Sequence, residues 1–192
     1  MRLDRRAPLV LDTRDLGRRP GTERHVATSV PAPADLGIEV LSVPEGSPVD
    51  LDLRLEAVVE GVLVTGTARA ELRGECVRCL DPVTDEVTVD LVELFVYDDE
   101  ESAREAAGDE DDETSRLEGD LLDLEPPLRD AVVLALPFQP LCREDCPGLC
   151  VECGARLADD PEHGHEDQID PRWAALQGLA RDQQDPKDPK DQ

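Results

Sequence analysis

The chain has 192 residues, of which 39% are hydrophobic, 34% charged and only 2% aromatic, and it carries a formal net charge of −26. This length suits one ordinary core. An acidic chain so poor in lysine and aromatic side chains lacks both the basic footprint and the stacking platform of a general RNA binder, and no apolar run is long enough to cross a membrane.

Taken from its first residue, the sequence opens with MRLDRRAPLVLDTRD, where the apolar stretch Ala7 to Leu11 is too short for the core of a signal peptide. A cytoplasmic protein is therefore expected. Thiols stay reduced in that compartment, so six cysteines point to metal binding ahead of disulfides. Residues 1–48 read as an N-terminal arm of mixed charge. Arg2, Arg5, Arg6, Arg14, Arg18, Arg19 and Arg24 give its first thirty residues local positive character and one possible local contact to RNA, although an ordinary mixed-charge terminus explains them as well.

The folded part is expected over residues 49–157. Val49, Leu51, Leu53, Leu55 and Ala57 alternate with Asp50, Asp52, Arg54 and Glu56, the signature of a strand with one wet face. After a turn at Glu60-Gly61, a second strand sets Ala68, Ala70 and Leu72 against Thr67, Arg69, Glu71 and Arg73. A third alternates through Val87, Val89 and Leu91, then shifts phase to Val92, Leu94 and Val96, which predicts a bulge. Cys76 and Cys79 fall in the connection between the second and third strands.

Residues 98–119 form an acidic segment with no apolar side chain larger than Ala except Leu117, and a disordered loop is expected there. A helix follows, with Asp123 or Glu125 as cap and Pro126 and Pro127 in its first turn. Leu128, Ala131, Val132 and Ala135 make its apolar stripe, and Pro137 ends it. The fold class is thus α+β: an antiparallel sheet of three or more strands, a covering helix and a C-terminal Cys-rich zinc-knuckle segment. Residues 158–192 read as a polar tail carrying a short helix over 171–180 with Trp173, Leu176 and Leu179 on one side.

The cysteines carry the chemistry. A structural zinc site takes four soft ligands, and a CxxC turn supplies two of them. Two such turns are present, Cys76/Cys79 and Cys150/Cys153, together with Cys142 and Cys146. One zinc ion is expected, and two ligand sets are open. A local set, Cys142, Cys146, Cys150 and Cys153, closes only short loops. A remote set pairs the two CxxC turns across the fold. An iron–sulfur cluster could use the same close cysteines, whereas six free structural cysteines at these spacings would be an odd accident. His163 and His165 stand among Asp159, Asp160, Glu162 and Glu166 and read as solvated. A zinc deaminase would need its His-x-Glu ahead of the cysteines, and that order is absent. No nucleophile with an associated base and no phosphate loop is visible, so an enzyme is not indicated. A thiol oxidoreductase using Cys76 and Cys79 is the rival, weakened because Cys76 sits between strands and not at a helix N-terminus.

ECVRCL at a strand end, the helix DLEPPLRDAVVLALP, the block PLCREDCPGLCVECGARL and a late DPRWAAL together resemble the bacterial YceD family, named for accumulation of large-subunit ribosomal RNA. The resemblance spans roughly residues 49–180. It implies a cytoplasmic, non-catalytic accessory factor in ribosome production, with Cys76 and Cys79 matching the family's CxRC around Arg78. Given the charge, a basic protein or ribosome-associated partner is expected, attracted by the acidic surface and loop. A zinc-braced regulator unrelated to ribosomes is the remaining alternative, and it lacks a helix-turn-helix signal.

Overall fold

In the computed structural model, which describes residues 3–98 and 115–165, the alternation from Val49 becomes strand β5, Pro48–Ala57. Every second side chain of β5 is buried, and Leu53 and Leu55 are fully enclosed. Burying each such leucine contributes about 1.5–3 kcal/mol. The strand turns into β6, Gly61–Glu75, and β6 turns into β7, Pro82–Val96. All three pair antiparallel, and β6 is the axis of the sheet. One edge of β6 pairs with β7 along its whole length; the other is shared end to end by β5 and by the short strand β4, Leu41–Val43. Strand β2, Glu23–Pro31, flanks β5, and β3, Leu36–Ile38, flanks β4. Gly66 lies where β6 passes tightly against β5, with φ +152° and a Cβ position only 2.1 Å from the Asp52 carbonyl oxygen. A side chain there would push the strands apart.

A separate two-stranded ribbon joins β1, Val10–Asp12, to β8, Leu121–Asp123. Thr13 ties the two together, donating to the Asp120 carbonyl through both its backbone N–H and its hydroxyl. Helix α1, Glu125–Ala135, packs on β3 and β7. Its buried side chains are Leu128 and Val132, with Leu136 continuing the same row just past the helix. Ala135, expected in the stripe, is exposed. The first helical N–H, that of Glu125, is taken by the Asp123 carboxylate at 3.0 Å.

Three expectations change. The segment 1–48, read as an arm, contributes β1 to β4, and Leu9, Leu16, Leu36 and Leu41 enter the core. Strand β7 carries no bulge: its register with β6 runs without interruption from Gly61↔Val96 to Glu75↔Pro82. Phe95 therefore continues the phase of Val87, Val89 and Leu91 into the core, and Val92 is 71% exposed. The polar residue this places on the covered side, Glu93, is accommodated by a 2.6 Å hydrogen bond from the Ser115 hydroxyl. Finally, the acidic segment returns to the core at its end, where Leu117 is buried and its N–H donates to Val96. The helix expected over 171–180 and residues 99–114 of the acidic loop lie outside the described residues.

Candidate metal centres

The β6–β7 hairpin ends in Cys-Val-Arg-Cys-Leu-Asp, residues 76–81, and Cys-Val-Glu-Cys-Gly-Ala at 150–155 adopts the same turn. In the first, the Cys76 N–H donates to the Asp81 carbonyl and the Leu80 N–H to the Cys76 carbonyl. The second repeats this bond for bond, from Cys150 to Ala155 and from Gly154 to Cys150. Each turn needs a left-handed residue after its second cysteine. Gly154 meets that need at φ +73° without strain, and Leu80 meets it at φ +62° against the usual steric preference.

The turns do not share a site. Cys76 and Cys79 converge instead with Cys142 and Cys146, which follow α1. The Cys76–Cys146 sulfur separation is 3.8 Å and the Cys79–Cys142 separation 3.6 Å. A tetrahedron with zinc–sulfur bonds of about 2.3 Å has edges of about 3.8 Å, so the four sulfurs have the spacing of a four-thiolate shell. Cys76, Cys79 and Cys146 are buried; Val83, Leu141 and Leu149 pack around them in a cluster separate from the main core. The Arg78 guanidinium donates to the Cys146 carbonyl at 2.9 Å, tying the first turn to the loop that carries Cys146. Burial opposes ionisation of Cys76, but the N–H groups of Cys142, Cys79 and Arg78 outweigh it and lower that thiol to about 6. Burial and the neighbouring thiols push Cys79 up to about 12. Four thiols this close resist a second negative charge, and a divalent ion is the partner that relieves that repulsion.

Cys150 and Cys153 converge with His163 and His165. The Cys153 sulfur lies 3.2 Å from His163 Nε2 and 3.3 Å from His165 Nε2. The N–H groups of Cys153 and Glu152 point at the Cys150 sulfur and lower its thiol to about 6. This is the pattern seen at Cys76, where the residues two and three positions on supply the donors.

Either foursome could hold a metal ion, and neither is one of the two sets read from the sequence. The local set does not gather, because Cys150 and Cys153 group with His163 and His165 downstream and not with Cys142 and Cys146. The remote set fails because Cys142 and Cys146 fill the other half of the shell around Cys76 and Cys79. His163 and His165, read as solvated residues of a polar tail, fold back onto the knuckle. The available signal was an H-x-H pair ten residues beyond a CxxC turn, and the surrounding carboxylates masked it. The two centres stay in contact: the Leu149 N–H donates to the Arg78 carbonyl, and Arg156 forms an ion pair with Asp81.

The arginines named in the N-terminal segment are largely engaged within the fold. Arg5 and Arg14 pair with Asp12, Arg24 with Asp15, and Arg18 lies over the Tyr97 ring at 4.5 Å. Among the described residues no helix is long and apolar enough to cross a membrane.

Residues 64–180 match the family described as large ribosomal RNA subunit accumulation protein YceD. An uncharacterized protein of Mycobacterium tuberculosis is 52% identical over 170 residues, covering 88% of this chain and 80% of its own. One of Mycobacterium leprae is 46% identical, with coverages of 88% and 76%. The uncharacterized protein YlbN of Bacillus subtilis is 27% identical over 136 residues, 70% of this chain and 76% of its own. No solved structure matches. With most of the long hairpin, the helix and both ligand clusters inside the matched segment, the chain belongs to the YceD family and so to proteins associated with accumulation of large-subunit ribosomal RNA.

Proposed function

We propose that the protein is a non-catalytic, cytoplasmic accessory factor in large-subunit ribosome production, acting by contact with a basic protein through the open face of its sheet. The observation that carries this is the charge left on that face after its own ion pairs are counted. Register places Asp50, Asp52, Glu71, Glu86 and Asp90 on the wet side with Arg54, Arg69 and Arg73. Each of these arginines is already committed: Arg54 to Glu23 and Glu56, Arg69 to Glu86, Arg73 to Glu71. Asp52 and Asp90 flank Thr67 in the middle of the face, and neither forms an ion pair among the described residues. Such a face repels RNA phosphate and attracts a basic protein, raising the association rate most at low salt.

In this reading the Cys76, Cys79, Cys142 and Cys146 centre is a brace. Its soft, closed, four-sulfur shell suits one zinc ion, which would tie the hairpin tip to the segment after α1. The lowered Cys76 thiol is the one feature that favours the oxidoreductase reading; against it stands full burial of that sulfur at a hairpin end, under Cys142 and Cys146, where a substrate disulfide has no approach.

The test is affinity capture from lysate at physiological salt, comparing the wild type with Asp50→Lys/Asp52→Lys/Asp90→Lys and with a deletion of residues 99–114, which spares Ser115 and the buried Leu117. Recovery of ribosomal proteins or assembly factors by the wild type, with loss in the charge-reversed chain, is the expected result. Equal recovery by all three chains, or none by the wild type, removes the acidic-face reading.

A further inference from the structure

We propose that Cys150, Cys153, His163 and His165 form a second divalent-metal site, selective for zinc, that depends on the four-cysteine centre for its framework and releases its ion first. The inference stands independently of the basic-partner reading.

Three observations converge on it. The first is donor placement. The two Nε2 atoms lie 3.0 Å apart, with both facing the Cys153 sulfur, and the rings stand nearly perpendicular at 82° with centroids 4.8 Å apart. Four ligand atoms all lie within 4.8 Å of one another. Lone pairs held this close repel unless a cation lies between them. The second is the support behind each ring. His165 Nδ1 is 3.4 Å from a Glu152 carboxylate oxygen, and His163 Nδ1 is 3.9 Å from one of Asp160. A carboxylate behind Nδ1 favours the tautomer protonated there, which leaves Nε2 with its lone pair directed inward, as in metal-bound histidines. The third is the knuckle itself, whose hydrogen bonds duplicate those of the Cys76/Cys79 turn. Two thiolates and two neutral imidazoles balance the charge of a dication and suit zinc over calcium or magnesium, which prefer oxygen ligands.

The order of release follows from packing. In the first centre three of four ligands are buried; in the second, Cys153 and His165 are exposed and Cys150 and His163 half-buried. A chelator reaches the second more readily. Its framework also rests on the first centre's turn: the Leu149 N–H donates to the Arg78 carbonyl, and Gly148, at φ +80°, lies close enough that a Cβ would sit 3.0 Å from that oxygen. Cys142 and Cys146 precede this segment, so the first centre closes without the second. The coupling between the centres is reciprocal, but the first starts from the more buried shell and so keeps its ion longer.

The experiment is native mass spectrometry of the full chain, purified reduced and loaded with zinc, followed by chelator titration with a chromogenic zinc indicator. Two ions per chain, released in two phases, are expected. His163→Ala/His165→Ala should hold one ion and lose only the early phase, whereas Cys76→Ser should lose both. Cobalt loading gives a readout that needs no variant: the first equivalent should show an all-thiolate spectrum, and the second should add bands at higher energy from mixed sulfur–nitrogen ligation. One ion in the wild type, a single release phase, or two ions retained by the double histidine variant would overturn the proposal.

Discussion

The sheet and the cysteine-rich head are held together by different physics. The sheet buries a continuous cluster running from Leu9 to Leu136, with leucines and valines from every strand. The head, from the Cys76 turn to His165, has three buried sulfurs and only Val83, Leu141 and Leu149 packed against them. That is too little apolar surface to offset the ordering of the loops it pins. One region is stable by burial; the other lacks that support, and on the proposed metal reading it is held only when its ligand atoms are bridged. A single chain thus carries a permanent body and a conditional appendage.

The largest effect that would break this comparison comes from removing the bridge. Chelation, or Cys76→Ser, should abolish amide protection across residues 141–157 while the sheet's unfolding free energy moves by no more than about 0.5 kcal/mol, the margin within which separate sites stay independent. Hydrogen exchange beside a denaturant titration reads both; a sheet that melts with the head would show that the two are one unit. The converse attack is Leu53→Ala at a fully enclosed position, which should cost the body about 2–5 kcal/mol by urea titration and leave metal content per folded chain unchanged.

Smaller changes sharpen the picture within the head. Gly148→Ala meets a left-handed backbone and the nearby Arg78 carbonyl together. A loss of about 1–2 kcal/mol is expected, confined to protection of residues 148–157. Leu80→Gly is expected to gain up to about 1 kcal/mol. It relieves the same backbone preference at a side chain that is 60% exposed, and the measurement is slower zinc loss from the first centre.

What was legible in the sequence follows the same division. The alternation of β5 needed no context, because one face is buried and the other wet along its whole length. α1 announced itself through its prolines and apolar stripe. Strand β2 did not, since as an edge strand it exposes most of both faces, and β3 and β4 are three residues each, too short to show a period. The phase of β7 was misread because Val92 and Leu94 are apolar on the outer side while Glu93 is polar on the inner one. In the head, the spacing marked candidate metal ligands and not which of them would meet. That choice depends on where the hairpin tip and the post-helix segment come together, a tertiary fact invisible to local spacing.

The separation of 63 residues between Cys79 and Cys142 also sets a schedule. At a synthesis rate of about 5–20 residues per second, a growing chain exposes its first CxxC turn for roughly 3–13 s before the partner cysteines are made. Strands β5 to β7 are complete in that interval and can pair, so on the metal-brace reading the nascent protein would hold half a chelate on a finished hairpin and compete for zinc as a two-thiol ligand until its other half emerges. Chains stalled just before residue 142 should therefore take up zinc weakly and give it up to mild chelators, whereas chains stalled far enough past residue 146 for that cysteine to have left the ribosome should not.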